Sequence, residues 1–130
     1  MPDIIEVEVL LELLSDCPIP FWISYSCKAG AQTNAGQSFT QAVAIAKDAI
    51  AVGINCTPPD LITELLLSAK SDKPYVVYPN SGRVWDAAKK KWIGSSGAGF
   101  DQKMITEWSK AGAQYIGGCC GVGAAEIAEL

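Results

Sequence analysis

Four times along the chain, a short run rich in β-branched and aromatic residues is followed, a loop later, by a stretch with helical spacing. The runs are "FWISYS" (21–26), "IAVGIN" (50–55), "PYVVY" (74–78) and "AQYIGG" (113–118). "IAVGIN" is apolar throughout, the mark of a strand covered on both faces. Regular strand–helix alternation predicts a parallel sheet with right-handed crossovers. Two architectures satisfy it: a small open doubly wound sheet, or one half of an eight-stranded barrel. In both, chemistry collects at the C-terminal ends of the strands.

The helices are read from periodicity and caps. Ser38 and Gln41 form a Ser-x-x-Gln capping box at the head of a helix expected to bury Phe39, Val43, Ala46 and Ile50. "CTPPD" turns the chain into "LITELLLSAK", with proline preset for a helix start. "QKMITEWSKAG" places Met104, Ile105, Trp108 and Ala111 at helical spacing, with Gly112 as the C-cap. "GAAEIAEL" starts a last helix. Ahead of the first strand, "IIEVEVLLELLSD" (4–16) has the apolar density of a buried helix ended by Pro18 and Pro20, although Glu6 and Glu8 also give it a strand-like alternation. The polar segment up to Gln37, and the longer segment 82–99 with Trp85 and Trp92, are expected as loops.

Composition narrows the function classes. A chain of 130 residues with 49% apolar content suits one domain with a moderate core. A net charge of -4, with no basic cluster beyond "KKK" (89–91), gives no electrostatic reason to bind nucleic acid. The start "MPDIIEVEVLLELL" is acidic and lacks the basic region of a secretory signal, and Lys47 and Asp48 break the most apolar stretch, so no membrane span is expected. Five cysteines without a signal fit a reducing, cytoplasmic setting in which a disulfide is not expected. The absence of histidine removes every His-based relay and leaves metal chemistry to thiolates and oxygens. No Lys-Ser/Thr phosphate cradle and no GxGxxG follows a strand. Trp85, Trp92 and Trp108 lack basic surroundings and read as core or lid residues.

The residues at the strand ends are more specific: Cys27 after the first, Cys56 after the second, "PNSG" after the third, and Cys119 with Cys120 after the fourth. A parallel sheet puts all these points on one rim, so Cys56 can approach the 119–120 pair. Gly117, Gly118 and Gly121 give the chain the freedom to face both neighbouring thiols toward one point. Three thiolates with an open fourth position describe a catalytic zinc site better than a structural one. The alternative is that these are small core residues beside ordinary turn glycines, since no CxxC spacing is present. Cys17 and Cys27 read as packing or incidental thiols.

"AVGINCTPP", "YPNSG" and "GGCCG", in this order, resemble the C-terminal half of the homocysteine S-methyltransferase family, and the likeness covers essentially the whole chain, residues 1–130. The resemblance implies four βα units of a (β/α)8 TIM barrel whose zinc sits on Cys56, Cys119 and Cys120. It implies transfer of a methyl group from S-methylmethionine or S-adenosylmethionine to homocysteine, giving methionine. A thiol held on zinc stays ionised near neutral pH, and a sulfonium methyl leaves without a proton donor, so a site without histidine suffices. Asn80 and Ser81 are expected to line the substrate pocket, or else to form a simple turn.

There are departures. Family members are longer, and "MPDIIEVEVLLELL" resembles the helix after their fourth strand. The glycine-rich first-strand motif and the acidic residues that hold the amino group of homocysteine are absent here. Val122, Gly123, Ala124 and Ala125 stand where the family commonly shows Thr and Pro. The expectation is therefore a partial domain, inactive in isolation, that self-associates or associates with an N-terminal half. The competing expectation is a non-catalytic half-barrel assembly or metal-binding domain.

Overall fold

The computed structural model describes residues 1–94 and 97–130, with the backbone alone at Trp85. In chain order its elements are α1 (Ile4–Leu13), β1 (Trp22–Tyr25), β2 (Cys27–Lys28), β3 (Gln32–Thr33), α2 (Phe39–Ile45), β4 (Ala51–Asn55), a 3-10 turn (Pro59–Leu61), α3 (Ile62–Ser68), β5 (Tyr75–Tyr78), β6 (Val84–Asp86), β7 (Lys91–Ile93), α4 (Gln102–Lys110), β8 (Ala113–Ile116) and α5 (Ala124–Ala128). The four expected strands form one sheet in the order β1-β4-β5-β8, every pair parallel. These are the four βα units that the sequence predicts.

Strand alternation gives the sheet two unlike faces. Ile23, Tyr25, Val52, Ile54, Tyr75 and Val77 are buried in the core beside Phe39, Ile62, Leu65, Leu66 and Trp108 of the helices. Each fully buried aliphatic side chain there contributes about 1.5–3 kcal/mol. Two tyrosines peg the layers together: Tyr25 Oη donates to Ala42 O (2.9 Å) and Tyr75 Oη to Ala69 O (3.0 Å). On the other face, Ser24, Gly53, Val76 and Tyr115 stand in one row across the sheet. Gly53 is required there, because a Cβ would lie 2.4 Å from Val76 O on the neighbouring strand. Trp22, Ile50 and Tyr115 are more than half exposed along this second face. Beside β1, the Met1 ammonium donates to Ser24 O (2.8 Å) and Met1 O accepts from Ser26 N (2.9 Å), so one residue already pairs with part of that edge.

Four expectations change. α1 forms, but Val7 is its one fully buried residue, and Ile5, Val9 and Leu13 make an exposed apolar stripe at i, i+4 spacing. Its packing partner is α2 on one side, which leaves the opposite side uncovered. Helix α2 stops at Ile45, and Ile50 is 57% exposed rather than buried. The chain must leave the helix early to enter β4: Ile50 N already bonds to Phe21 O (2.9 Å), while Lys73 Nζ caps the carbonyls of Ala46, Lys47 and Ala49. The segment before Gln37 contains the β2–β3 pair, turning through Gly30 and Ala31 at positive φ. The segment 82–99 contains the β6–β7 hairpin, whose turn is fixed by Lys89 N donating to Asp86 Oδ1 (2.9 Å). Trp108 is fully buried against Phe100, whereas Trp92 is 44% exposed. The expectation for the Trp85 side chain lies outside the described residues.

Candidate metal centre

Three strand ends build the site. After β4 the ladder continues for one bond, Cys56 N to Tyr78 O (3.0 Å), and the chain then turns at Cys56 with φ +48°. Thr57, fully buried, anchors this turn by donating to Asn55 O (3.0 Å) while its Oγ1 accepts from Cys27 N (2.9 Å). After β8, Gly117 N bonds to Val77 O (2.8 Å) and Cys119 N to Pro79 O (2.8 Å). The turn through the vicinal pair closes with Val122 N on Cys119 O (2.9 Å). Gly118 leaves room for Val122, since its Cβ would lie 2.4 Å from Val122 Cγ1. Gly121, at φ +76°, leaves room for Ser81 Oγ.

The result brings together the three thiols named from the sequence. Cys56 Sγ lies 3.4 Å from Cys120 Sγ, Cys119 Sγ lies 3.9 Å from Cys120 Sγ, and all three fall within 4.8 Å of one another. Sulfurs on a tetrahedral zinc at a bond length of about 2.3 Å are roughly 3.8 Å apart. The cluster has that spacing and a soft donor set, so its residues fit the ion. Without a cation the arrangement disfavours charge: burial, then hydrogen bonding with Cys120 and Cys119, pushes the Cys56 thiol up to about 12. Cys17 and Cys27 stay outside the cluster, as expected: Cys27 is buried, and all five thiols are free.

Asn80 and Ser81 lie on the same rim and face their own protein. Asn80 Nδ2 donates to Cys56 O (3.1 Å) and its Oδ1 accepts from Gly82 N (2.8 Å). Ser81 is 6% exposed; its N donates to Cys120 O (3.0 Å) and its Oγ accepts from Arg83 Nε (3.0 Å). Arg83 also reaches Gly121 O (3.3 Å), so it links the loops after β5 and β8. Neither Arg83 nor Thr57 is singled out by the sequence: an arginine after a "PNSG" turn and a threonine before two prolines carry no signal of their own. Among the described residues, no helix is long and apolar enough to cross a membrane.

A parallel four-stranded α/β sheet with three convergent thiols on its C-terminal rim defines a βα-repeat protein with a cluster able to hold a metal ion. A family model described as homocysteine S-methyltransferase matches residues 1–130. The chain is 42% identical over 129 residues to homocysteine S-methyltransferase 3 of Zea mays, covering 92% of this chain and 38% of that protein. It is 39% identical over 129 residues to selenocysteine Se-methyltransferase of Brassica oleracea var. italica, covering 92% and 37%. It superposes on the crystal structure of the metallated form of the Escherichia coli homocysteine methyltransferase MmuM with a TM-score of 0.71 at 29% identity, covering 98% of this chain and 41% of that one. The chain belongs to the homocysteine S-methyltransferase family. It spans less than half the length of the relatives it matches.

Proposed function

We propose that this chain carries the metal-binding part of a homocysteine S-methyltransferase site, with zinc held by Cys56, Cys119 and Cys120. The observation that carries the reading is the convergence of three thiols from two strand ends within 4.8 Å. Bound there, zinc supplies the positive charge that keeps the protein thiols and an acceptor thiol ionised near neutral pH. The acceptor's sulfur then attacks a sulfonium methyl carbon; the new S–C bond forms as the old one breaks, and its electron pair returns to the donor sulfur. The donor leaves as a neutral thioether and needs no proton, which suits a chain without histidine. The contribution of this chain is alignment. The loop containing Asn80 and Ser81 stands on the same rim as the three thiols, bonded to Cys56 O and Cys120 O.

Free thiols throughout fit a cytoplasmic setting. The β8 edge and the part of the β1 edge that Met1 does not pair, with one apolar sheet face open, are satisfied when four further strands complete an eight-stranded barrel. Those strands come from an N-terminal half or from a second copy. The acceptor assignment is tested with the cobalt-substituted chain, because tetrahedral thiolate–cobalt bands report ligand exchange without turnover. Homocysteine should shift these bands and methionine should not. A spectrum indifferent to homocysteine would remove the acceptor assignment.

A further inference from the structure

The loop after β5 holds the backbone of all three thiol-bearing residues. Asn80 Nδ2 donates to Cys56 O (3.1 Å), Pro79 O accepts from Cys119 N (2.8 Å), and Ser81 N donates to Cys120 O (3.0 Å). The first contact falls on strained backbone. Cys56 has φ +48°, a left-handed conformation that is disfavoured for a residue with a Cβ. Its nitrogen is held by Tyr78 O and its carbonyl by the Asn80 amide, so both sides of the residue are fixed. Asn80 is itself immobilised: Gly82 N donates to its Oδ1 (2.8 Å) and its own N donates to Thr57 O (3.1 Å). The loop in turn is braced, since Arg83 bonds to Ser81 Oγ and Gly121 O, and a Cβ on Gly99 would come within 2.2 Å of Ser81 O.

We propose that Asn80 is a positioning residue for the metal centre, its side-chain amide locking the Cys56 peptide in the left-handed form that aims this thiol at Cys120. The proposal rests on the metal reading above. The side chain must accept from Gly82 N and, from the same planar group, donate to Cys56 O. An amide at this length does both. Serine can accept for the turn but cannot reach Cys56, and aspartate has the shape but no donor. The neighbours of a metal ligand commonly govern affinity in this way, by 10–100-fold.

The test compares the wild-type chain with Asn80→Ser and Asn80→Asp. Zinc affinity is read by chelator competition. Thiol proximity is read without metal, from the rate at which dibromobimane bridges Cys56 and Cys120 in a Cys17→Ser, Cys119→Ser background. Both variants should unfold near the wild-type temperature, bind zinc about tenfold more weakly or worse, and cross-link several-fold more slowly. The aspartate's added negative charge favours a cation, so a loss in Asn80→Asp isolates the missing donor; this variant decides the matter if Asn80→Ser fails to fold. Wild-type affinity and cross-linking in a folded variant would overturn the role. A wild-type chain that retains no zinc, yet cross-links faster than the variants, would reject the metal reading and leave the positioning role standing.

Discussion

Cys56 Sγ and Cys120 Sγ lie 3.4 Å apart, although 64 positions separate them in the chain. The contact joins two strand ends that are not neighbours in the sheet: β5 lies between β4 and β8, and its loop bridges them. Cys119 stands 3.9 Å from Cys120 and completes the group. The purified, reduced chain should therefore retain close to one zinc. Cys56→Ser should abolish retention, while Cys17→Ser, outside the cluster, should leave it intact. Metal analysis of the two variants decides this, and equal zinc content in both would defeat the assignment.

Turnover is a separate matter. The chain spans less than half the length of the relatives it matches, and its second sheet face is open to water. The isolated chain should not methylate homocysteine from S-methylmethionine above a no-protein control. Methionine formation that disappears in Cys120→Ala would show that these four βα units suffice.

Association is expected from the uncovered surface. Trp22, Ile50 and Tyr115 are 54%, 57% and 59% exposed on the open sheet face, and Ile5, Val9 and Leu13 are exposed along α1. Apolar patches of this kind mark interfaces. Two copies joined through their β1 and β8 edges complete an eight-strand count with two-fold symmetry. Light scattering at micromolar concentration should find a dimer or a larger species. A monomer whose unfolding is independent of concentration would refute this.

Stability should fall in alkali. Burial raises the Cys27 thiol from 9.0 to about 12, an effect only partly countered by the N-terminal ammonium and the hydrogen bond with Thr57. The unfolded chain releases this proton first, so the contribution is fully present below pH 9.0 and is lost as pH rises toward about 12. The loss is roughly 1.4 kcal/mol per pH unit in that window. Tyr25, raised by its own burial, adds a component in the same direction. The denaturant midpoint should fall less steeply between neutral and alkaline pH in Cys27→Ala than in the parent chain. Identical slopes would mean that Cys27 is not held neutral by the fold.

The sheet was legible because β4, an inner strand buried from Ala51 to Ile54, needs an apolar run such as "IAVGIN"; the exposed Trp22 and Tyr115 depart from the cover on both faces that this run predicts. The thiol cluster was legible because Cys56 and Cys119–Cys120 both follow such runs. Other features lacked a sequence signal. The β6–β7 hairpin has three-residue strands, Val84–Asp86 and Lys91–Ile93, too short to show alternation. Ile50 matched the helical spacing of α2, but the need to start β4 at Ala51 prevailed over it. The exposure of Ile5, Val9 and Leu13 depends on what lies beside α1, which its own residues do not encode. The bond from Arg83 to Gly121 O, 38 positions along the chain, depends on tertiary proximity alone.

The left-handed backbone at Cys56 sets two selective pressures against each other at one position. Judged by conformation alone, glycine or asparagine is the better residue there. Judged by the proposed zinc chemistry, a side chain with a ligand atom is needed there, which glycine lacks. Cys56→Gly should thus relax the turn while removing one of the three proposed ligands, a stability–function trade-off confined to one codon. Cys119 and Cys120, whose φ angles are not positive, carry no such conflict between backbone and side chain.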